Sequence, residues 1–354
     1  MPYDGPVLDP VAALRRIAFL LERRLADSYR IKAYRTAAAA LLGVDADEVR
    51  TRADAGTLRE LPGIGAKTAA IVAQCVAGQV PDYLTELELT AGPLASGGDG
   101  YRREMRGDLH SHSDWSDGGS PLEEMAMTAM ELGHDYLVLT DHSPRLRVAN
   151  GLSSARLTQQ LEVVAAVNDH LGSAGPSGPA TSPAFRLLRG IEVDILDDGA
   201  LDQTDSMLAR LDVVVASVHS KLRMDAPAMT RRMVTAVRHP QTNVLGHCTG
   251  RLVTGGRGTR PQSTFDAAAV FGACAEHGVA VEINSRPERC DPPDDLVGLA
   301  LEAGCLFSVD SDAHAPGQLD FLGYGAARAE QLGVPLDRIV NSWPVHRLLE
   351  WANG

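Results

Sequence analysis

The sequence predicts an α/β protein in which a small all-α domain precedes a barrel of parallel strands. Two observations support this fold class. Before residue 90, apolar residues repeat at three- and four-residue spacing, which is typical of amphipathic helices. After residue 105, short apolar runs alternate with helical patterns, as they do in βαβ units. Seven such runs within roughly 250 residues favour a barrel over an open sheet.

The helical domain is assigned to residues 1–90. Periodicity predicts helices over residues 11–25, 31–42 and 67–77, the second of them rich in alanine. Two glycines in the segment Leu61-Pro62-Gly63-Ile64-Gly65 open the third helix. A stretch rich in Gly, Ser and Pro, residues 90–100, then separates segments of different character, so residues 91–104 are assigned to a linker.

The barrel domain is assigned to residues 105–354. Its seven candidate strands cover residues 105–109, 136–140, 186–193, 213–218, 243–245, 279–283 and 306–309. A second flexible stretch, residues 172–184, lies between a helical pattern and the third strand. We expect it to be a surface loop of this domain.

Composition and charge limit the classes of function. With 44% hydrophobic and 22% charged residues, the chain is typical of a soluble globular protein. No apolar run reaches the roughly twenty residues of a membrane span, and the first ten residues lack a signal-peptide pattern, so we expect a cytoplasmic protein without membrane partners. The net charge of −13 lies entirely after residue 106, which argues against a broad basic surface for nucleic acid. The five cysteines are scattered and include no C-x-x-C pair, which argues against a disulfide framework or a thiolate zinc site.

Histidines and carboxylates follow almost every predicted strand. Because the carboxyl ends of barrel strands meet at one face, residues that are distant in sequence converge there. The residues at these ends are His110, His112, Asp117, Asp141, His142, Glu192, Asp194, His219, His247, Asn284, Asp310, Asp312 and His314. A lone histidine at a strand end is usually an ordinary hydrogen-bonded residue, but six of them together with carboxylates predict a metal site.

The type and number of these side chains indicate the chemistry. Histidine and carboxylate ligands without thiolate suit zinc, manganese or iron, and nine ligands are too many for one ion. Two or three ions fit that number. Clustered divalent ions serve hydrolysis by orienting a phosphate, generating hydroxide near neutral pH and stabilising the leaving oxygen. The sequence therefore favours phosphoester chemistry.

The motifs at the strand ends occur in a recognisable order: H-S-H with S-D-G, T-D-H, G-I-E, S-V-H, G-H-x-T-G-R and S-D-A-H. In this order they resemble the PHP (polymerase and histidinol phosphatase) family over residues 105–340. The resemblance implies a distorted (β/α)7 barrel with three divalent metal ions, Zn, Mn or Fe. It also implies an assignment of ligands to each ion. His110, His112, Glu192 and Asp312 would hold the first ion, Glu192, His219 and His247 the second, and Asp117, His142 and His314 the third.

Three further residues are candidates for catalytic roles. Arg251 would clamp a substrate phosphate and Lys221 would assist it, with ordinary surface residues as the alternative. Asp141 would orient His142, with a helix-capping role as the alternative. Cys248 stands where the family usually has proline, which bears on the geometry of that loop.

The helical domain carries a second resemblance. The run from residue 17 through Tyr34-Arg35 to the segment E-L-P-G-I-G at residues 60–65 resembles the helix-hairpin-helix amino-terminal domain of family X DNA polymerases over residues 10–90. The resemblance implies that Gly63 and Gly65 present backbone N–H groups to a DNA phosphate, that Lys67 adds charge, and that Tyr34 and Arg35 contribute to DNA binding. A purely structural helical cap is the alternative.

Two departures from that family limit the prediction. Bacterial family X enzymes carry a polymerase core between the two domains, whereas here only a short linker separates them, so we expect no polymerase activity. The lysine that lyase-active domains use to form a Schiff base lies four residues beyond Lys67, and this position is Ile71. We therefore expect no lyase activity.

These residues predict a metal-dependent phosphoesterase that acts on DNA ends in DNA repair, as a 3′–5′ exonuclease or a 3′-phosphodiesterase. One alternative is a small-molecule phosphatase of the histidinol-phosphate type, because the same barrel supports both chemistries. The other alternative is a non-catalytic DNA-binding module in which metals only hold the structure.

Overall fold

The chain divides into two compact units, Met1–Pro93 and Leu94–Gly354. The structure, a computed structural model, describes residues 8–173, 185–256 and 258–354. The division falls inside the predicted linker. Most of the predicted surface loop over residues 172–184 lies outside the described residues, as do the first seven residues used in the search for a signal peptide.

The first unit is helical, as predicted. Its helices are α1 (Pro10–Arg23), α2 (Ser28–Leu42), α3 (Ala46–Ala55), α4 (Ala66–Val76) and α5 (Asp82–Leu89). Helix α2 begins three residues before the predicted start because the Asp27 carboxylate accepts from the Tyr29 backbone N–H at 3.0 Å and caps the helix. Helix α1 ends before the predicted end because Leu25 adopts a positive φ of 52°, which is incompatible with a right-handed helix.

The turn between α3 and α4 is built around glycine and one buried isoleucine. Gly63 has a φ of 88°, and a Cβ there would lie 3.0 Å from Thr36 Cγ2. Ile64 is buried in the core of the unit, and the Gly65 backbone N–H donates to Thr68 Oγ1 at 2.9 Å. The hairpin is therefore pinned by its isoleucine while its glycines stay at the surface.

The second unit is an α/β barrel of seven parallel strands. The strands are β1 (Gly107–Ser111), β2 (Tyr136–Leu139), β3 (Arg186–Asp194), β4 (Val213–Ser217), β5 (Val244–Leu245), β6 (Ala280–Asn284) and β7 (Phe307–Asp310). Its helices are α6 (Asp99–Glu104), α7 (Leu122–Glu131), α8 (Ser154–Ser173), α9 (Asp205–Leu208), α10 (Ala226–Val237), α11 (Ala267–His277), α12 (Asp294–Glu302), α13 (Leu322–Gln331) and α14 (Val345–Ala352).

The strands pair in sequence order, β1 to β7, and every ladder is parallel. The first and last strands meet where Ser111 bridges to Ala313, and the His112 backbone N–H donates to the Ala313 carbonyl at 2.8 Å. This contact nearly closes the barrel and confirms the predicted fold class.

Both faces of the strands are apolar, as expected for parallel strands covered by helices. Alternate residues on one face of the strands form the barrel interior: Leu109, Tyr136, Val138, Leu188, Val213, Val215, Val244 and Ala280. Leu348 of α14 packs into the same apolar cluster. The opposite face packs against the surrounding helices, for example at Ile191, Val214 and Val281. The period of two therefore decides which residues reach the interior.

Part of the predicted linker belongs to the second unit. Helix α6 occupies its last six residues, and the Gly98 backbone N–H before it donates to Glu330 Oε2 at 2.7 Å. Gly98 has a φ of 81°, and a Cβ there would meet the Ala327 backbone nitrogen at 2.3 Å. Only glycine allows this close approach. Among the described residues, no helix combines the length and the apolar character needed to cross a membrane.

Candidate metal centre

On β3 and β6, buried polar residues stand near the carboxyl end of the strand, beyond the apolar residues of the barrel interior. On β6, Ala280 belongs to the apolar interior cluster, and Glu282 and Asn284 follow at spacings of two on the same face. On β3, Glu192 follows Gly190, where a Cβ would lie 2.5 Å from Val138 Cγ1. The sequence thus changes from apolar to polar at the level where the barrel opens.

All nine predicted ligands converge at this level. Their donor atoms form four overlapping groups, each within 4.8 Å: His112, Asp117, His142 and His314; His110, Glu192 and His247; His110, His112 and Asp312; His142, Glu192 and His219. The predicted third set, Asp117, His142 and His314, lies together in one group. The predicted second set does not, because His247 lies with His110 and Glu192, whereas His219 lies with His142 and Glu192. His112 belongs both to the group of Asp117 and His314 and to the group of His110 and Asp312.

Glu192 lies at the centre of the cluster. Its Oε1 atom is 2.8 Å from His247 Nε2 and 3.1 Å from His219 Nε2. Its Oε2 atom is 2.8 Å from His142 Nδ1 and 3.4 Å from His110 Nε2. The two carboxylate oxygens thus face different histidines, so Glu192 can contribute to more than one group of ligands.

The other two carboxylates face histidines at similar distances. Asp312 Oδ1 is 3.4 Å from His112 Nε2, and Asp117 Oδ1 is 3.4 Å from His142 Nε2 and 3.5 Å from His314 Nε2. Ligand atoms about 2.1 Å from one tetrahedral ion are separated by roughly 3.4 Å. The spacing within the groups therefore suits metal coordination.

The hydrogen-bond inventory of the cluster gives an independent test of that fit. Several buried atoms have no hydrogen-bond partner among the described residues, including both oxygens of Glu192 and ring nitrogens of His110, His112, His142, His219 and His247. Buried polar atoms are rarely left without a partner. Burial, together with neighbouring His314 and His142, also lowers the pKa of His112 to about 3, which keeps its imidazole in the neutral form that binds metals. The donor set therefore fits divalent metal ions.

Residues that the sequence did not single out hold several ligands in place. Glu282 Oε1 is 2.6 Å from His110 Nδ1, and its Oε2 atom accepts from the His247 backbone N–H. Arg289 Nε donates to Asp312 Oδ2 at 3.0 Å. A glutamate in the middle of the apolar run A-V-E-I-N was the available sequence signal, because a charged residue on a barrel strand must face the polar mouth.

A second carboxylate holds His219, the ligand that follows β4, in the same way. Asp194, the last residue of β3, has Oδ1 3.2 Å from His219 Nδ1 and accepts from the His219 backbone N–H at the same distance. Such contacts fix the orientation of an imidazole and direct its other nitrogen toward a metal.

Asp141 has a different role from the predicted one. Its buried carboxylate accepts from the Ser113 backbone N–H at 2.8 Å, from Ser113 Oγ at 2.6 Å and from Gln160 Nε2 at 2.5 Å, and it also accepts from Ser116 Oγ. No described histidine bonds to it. Asp141 therefore anchors the loop that carries Asp117, and the prediction that it orients His142 is corrected.

Arg251 and Lys221 also differ from their predicted roles. Arg251 Nε donates to the backbone carbonyls of Cys290 at 2.9 Å and Arg289 at 3.2 Å, so its guanidinium is committed to holding that loop. Lys221 is 63% exposed and pairs with Asp197 at 2.5 Å. Neither side chain is directed at the ligand cluster in this arrangement.

A cavity of about 370 Å³ adjoins the cluster. Two predicted ligands, Asp117 and His314, form part of its wall, together with Arg286 and the glycine-rich segment Thr254–Gly255–Gly256. Its volume is within the range of small-ligand sites. The cavity therefore gives a substrate access to the third group of ligands.

In the first unit, the residues predicted to bind DNA fall into two classes. Gly63, Gly65 and Lys67 are exposed at the hairpin. Tyr34 is only 4% exposed, within the core of the unit. Arg35 is bound by the nearly buried Glu22 through both Nε at 2.8 Å and Nη2 at 2.7 Å. The prediction for Tyr34 and Arg35 is therefore corrected, because both side chains stabilise the fold of the unit.

Comparison with known families gives two matches. Residues 108–286 match the PHP domain, and residues 6–79 match a helix-hairpin-helix domain. The first match lies within the second unit and ends before β7, and the second match lies within the first unit.

The similarity to known proteins covers different shares of this chain and of each relative. It is 34% identical to the DNA polymerase/3′-5′ exonuclease PolX of Bacillus subtilis over 239 residues, which are 68% of this chain but only 39% of that protein. It is 24% identical to a probable phosphatase of Caldanaerobacter subterraneus over 248 residues, 66% of this chain and 86% of the relative. Among solved structures, a histidinol phosphate phosphatase of Lactococcus lactis, complexed with zinc, L-histidinol and phosphate, has a TM-score of 0.45 at 16% identity and matches 65% of this chain and 94% of its own.

Proposed function

We infer that this chain, which belongs to the PHP domain family, is a metal-dependent phosphoester hydrolase. The observation that carries this inference is the convergence of nine histidine and carboxylate ligands at one end of the barrel, beside an open cavity. Three divalent ions, of zinc, manganese or iron, match the number and kind of these ligands. When bound, such ions orient a phosphate group, lower the pKa of a water molecule and stabilise the leaving oxygen.

The residues of the chain hold and orient these groups. Glu192 links the ligand groups through its two oxygens, and Glu282 and Asp194 fix the rings of His110 and His219. Asp141 holds the loop that places Asp117 at the cavity wall. A preorganised set of this kind needs little rearrangement when a substrate binds.

The proposed substrate is a DNA end, cleaved from the 3′ side. Two features support DNA rather than a small molecule. One is the first unit, whose helix-hairpin-helix match includes the exposed Gly63, Gly65 and Lys67. The amino terminus of α4 begins at this hairpin, and a helix amino terminus provides N–H donors for a phosphate. The other is the likeness to a protein named as a polymerase and 3′-5′ exonuclease. The two units are joined within residues 90–106, so no segment of the length of a polymerase core lies between them.

A small-molecule phosphatase is the second candidate. The specific observation in its favour is the alignment with a probable phosphatase over 86% of that relative's length and 66% of this chain. A phosphorylated small molecule such as histidinol phosphate would then be the substrate.

An assay of product formation distinguishes the candidates. Manganese-loaded protein is incubated with 5′-labelled single-stranded and gapped DNA, with histidinol phosphate and with an aryl phosphate. We expect shortened DNA from the wild type and none from Asp312→Asn, with Asp205→Asn, at a side chain that is 90% exposed, as the matched control. Faster turnover of histidinol phosphate than of DNA would favour the second candidate. Stable DNA binding without cleavage of any substrate would contradict both candidates and favour structural metals.

The role of the hairpin is tested separately by the salt dependence of DNA binding. Removing one phosphate contact lowers the slope of log Kd against log salt by about one. We expect this change for Lys67→Ala in the full chain. Arg50→Ala, an exposed change on α3 where Arg50 pairs with Asp47 at 2.9 Å, is the matched control and should keep the wild-type slope. Equal slopes for both variants would exclude Lys67 from the interface.

A further inference from the structure

Arg286 borders two cavities of the second unit. The cavity of about 370 Å³ contains Asp117 and His314 in its wall. A second cavity, of about 700 Å³, is lined by Asn284, Tyr324 and other residues of the following loop and α13. Among the described lining residues of these two cavities, only Arg286 belongs to both. Arg286 therefore lies at the boundary between them.

The hydrogen bonds of Arg286 leave part of its donor capacity unused. Nη1 donates to the Asp312 carbonyl at 2.9 Å and lies 2.8 Å from His314 Nδ1. Nη2 is 3.6 Å from Glu288 Oε1, which is an ion-pair distance and not a hydrogen bond. Nε is buried without a partner among the described residues.

This arrangement is unusual for a side chain that is only 9% exposed. A guanidinium has five N–H donors in a planar fork, and burying them without acceptors costs free energy. An anion at the boundary of the cavities would supply the missing acceptors. A phosphate oxygen suits the fork, because arginine binds phosphate through two parallel N–H groups.

Two other arginines near the ligands, Arg251 and Arg289, already hold oxygens of the protein. Arg251 donates to the backbone carbonyls of Arg289 and Cys290. Arg289 uses Nε to hold Asp312 Oδ2 at 3.0 Å. Arg328 pairs with Asp294 at 2.6 Å and has a buried Nη1 without a partner among the described residues, but of the two cavities it lines only the larger one. Arg286 is thus the arginine that combines unused donors with a position beside the third group of ligands.

We propose that Arg286 binds a non-bridging oxygen of the substrate phosphate where the two cavities meet. The smaller cavity then brings that phosphate to Asp117 and His314, and the larger cavity holds the group that the phosphate carries. This inference rests on the proposed phosphoesterase function, but it concerns binding and can be measured without turnover.

The test is the affinity for inorganic phosphate, measured by titration calorimetry on the manganese-loaded full chain. Loss of a charge-assisted hydrogen bond weakens binding by about tenfold to a hundredfold, so we expect Arg286→Gln to raise the Kd of phosphate by that factor. Arg286→Lys keeps the positive charge but lacks the planar fork, so its Kd for phosphate should lie between those of the wild type and Arg286→Gln. Arg106→Gln, at an exposed ion pair with Asp135 outside both cavities, is the comparison variant, and its Kd for phosphate should stay within about twofold of the wild-type value.

The metal content of each variant and the KM of an aryl phosphate complete the test. A wild-type Kd for phosphate in Arg286→Gln would overturn the proposal. Loss of bound manganese from that variant would also overturn it, because Arg286 would then serve to hold His314. If phosphate binding depends on Arg286 but the wild type cleaves no phosphoester, the proposed function fails and this inference stands. If the wild type cleaves phosphoesters and Arg286→Gln has the wild-type Kd for phosphate and the wild-type KM, the inference fails and the function stands.

Discussion

Replacing Glu282 by glutamine should weaken metal binding without changing the shape of the side chain. Glu282 is fully buried, and its two oxygens serve three donors: His110 Nδ1 at 2.6 Å, Asn284 Nδ2 at 3.3 Å and the His247 backbone N–H. Glutamine offers one oxygen and two N–H groups in their place. At least one buried donor must then face another donor, which costs about 1–3 kcal/mol.

The same loss can be estimated from the metal side. Removing a residue that orients a metal-binding histidine typically lowers metal affinity 10- to 100-fold, or about 1.4–2.8 kcal/mol. The two estimates agree. We therefore expect Glu282→Gln to raise the dissociation constants of the ions that bind at His110 and at His247 by that factor, measured by competition with a chromophoric chelator and by elemental analysis after dialysis.

The matched control is Glu276→Gln, the same substitution at a side chain that is 69% exposed. It should retain the metal affinity of the wild type. If Glu282→Gln holds every ion as tightly as the wild type does, the orienting role of Glu282 is refuted, and with it the link between this hydrogen bond and metal affinity.

Two further predictions concern the barrel domain. Burial lowers the pKa of His134 from 6.5 to about 3, and the positive charge of Arg102 contributes to this shift. Arg102 Nη2 lies 2.8 Å from His134 Nε2. The stabilisation from this neutral histidine is complete above pH 6.5 and is lost as the pH falls toward 3, so urea unfolding at pH 7, 6 and 5 should show a loss of up to about 1.4 kcal/mol per pH unit that His134→Gln lacks. Gly118→Ala would place a Cβ 2.7 Å from the Ser113 carbonyl, which must open the turn beside Asp117. We expect a loss of about 1–3 kcal/mol in stability and lower occupancy of the ion bound by Asp117, measured by thermal melting and elemental analysis.

Each of these predictions has an internal comparison. For His134, parallel pH profiles of the wild type and the glutamine variant would contradict the assigned pKa. For Gly118, the neighbouring Gly119→Ala is the control, because a Cβ there would lie at an ordinary 3.5 Å from the His314 carbonyl. Equal effects of the two alanines would show that the close approach at Gly118 is not what shapes the loop.

The fold was predictable because its signals are local and periodic. Each of the seven predicted strands overlaps an observed one, since buried parallel strands are continuous apolar runs bounded by turns. The bounds were less predictable. The first strand was expected to begin at Met105, but the backbone N–H of that residue bonds to the Tyr101 carbonyl at 3.2 Å and so completes α6. A single apolar residue at a junction fits both patterns.

The ligand set was predictable for a related reason, whereas the roles of its neighbours were not. Residues at the ends of strands meet at one face whatever the loops do. The target of Asp141 depends on the fold of the loop containing Ser113, and the target of Arg251 depends on the backbone path near Cys290. Similarly, the spacing within α2 does not say that Tyr34 faces the core. Contacts made by long side chains or across loops leave no periodic signal in a sequence.

The segment G-D-L-H-S-H-S-D-W-S-D-G unites both kinds of position. His110 belongs to β1 and His112 is the first residue after it. The side chains of both histidines have no exposed surface. Asp117 lies beyond the strand in the turn, where its side chain is 35% exposed, and its partner His314 is 23% exposed. Binding of an ion at the buried positions requires it to shed its water, whereas an ion at Asp117 and His314 can keep contact with the cavity. We therefore expect an ion held by Asp117 and His314 to exchange more readily than one held by the buried ligands, and Arg286 Nη1 lies 2.8 Å from His314 Nδ1.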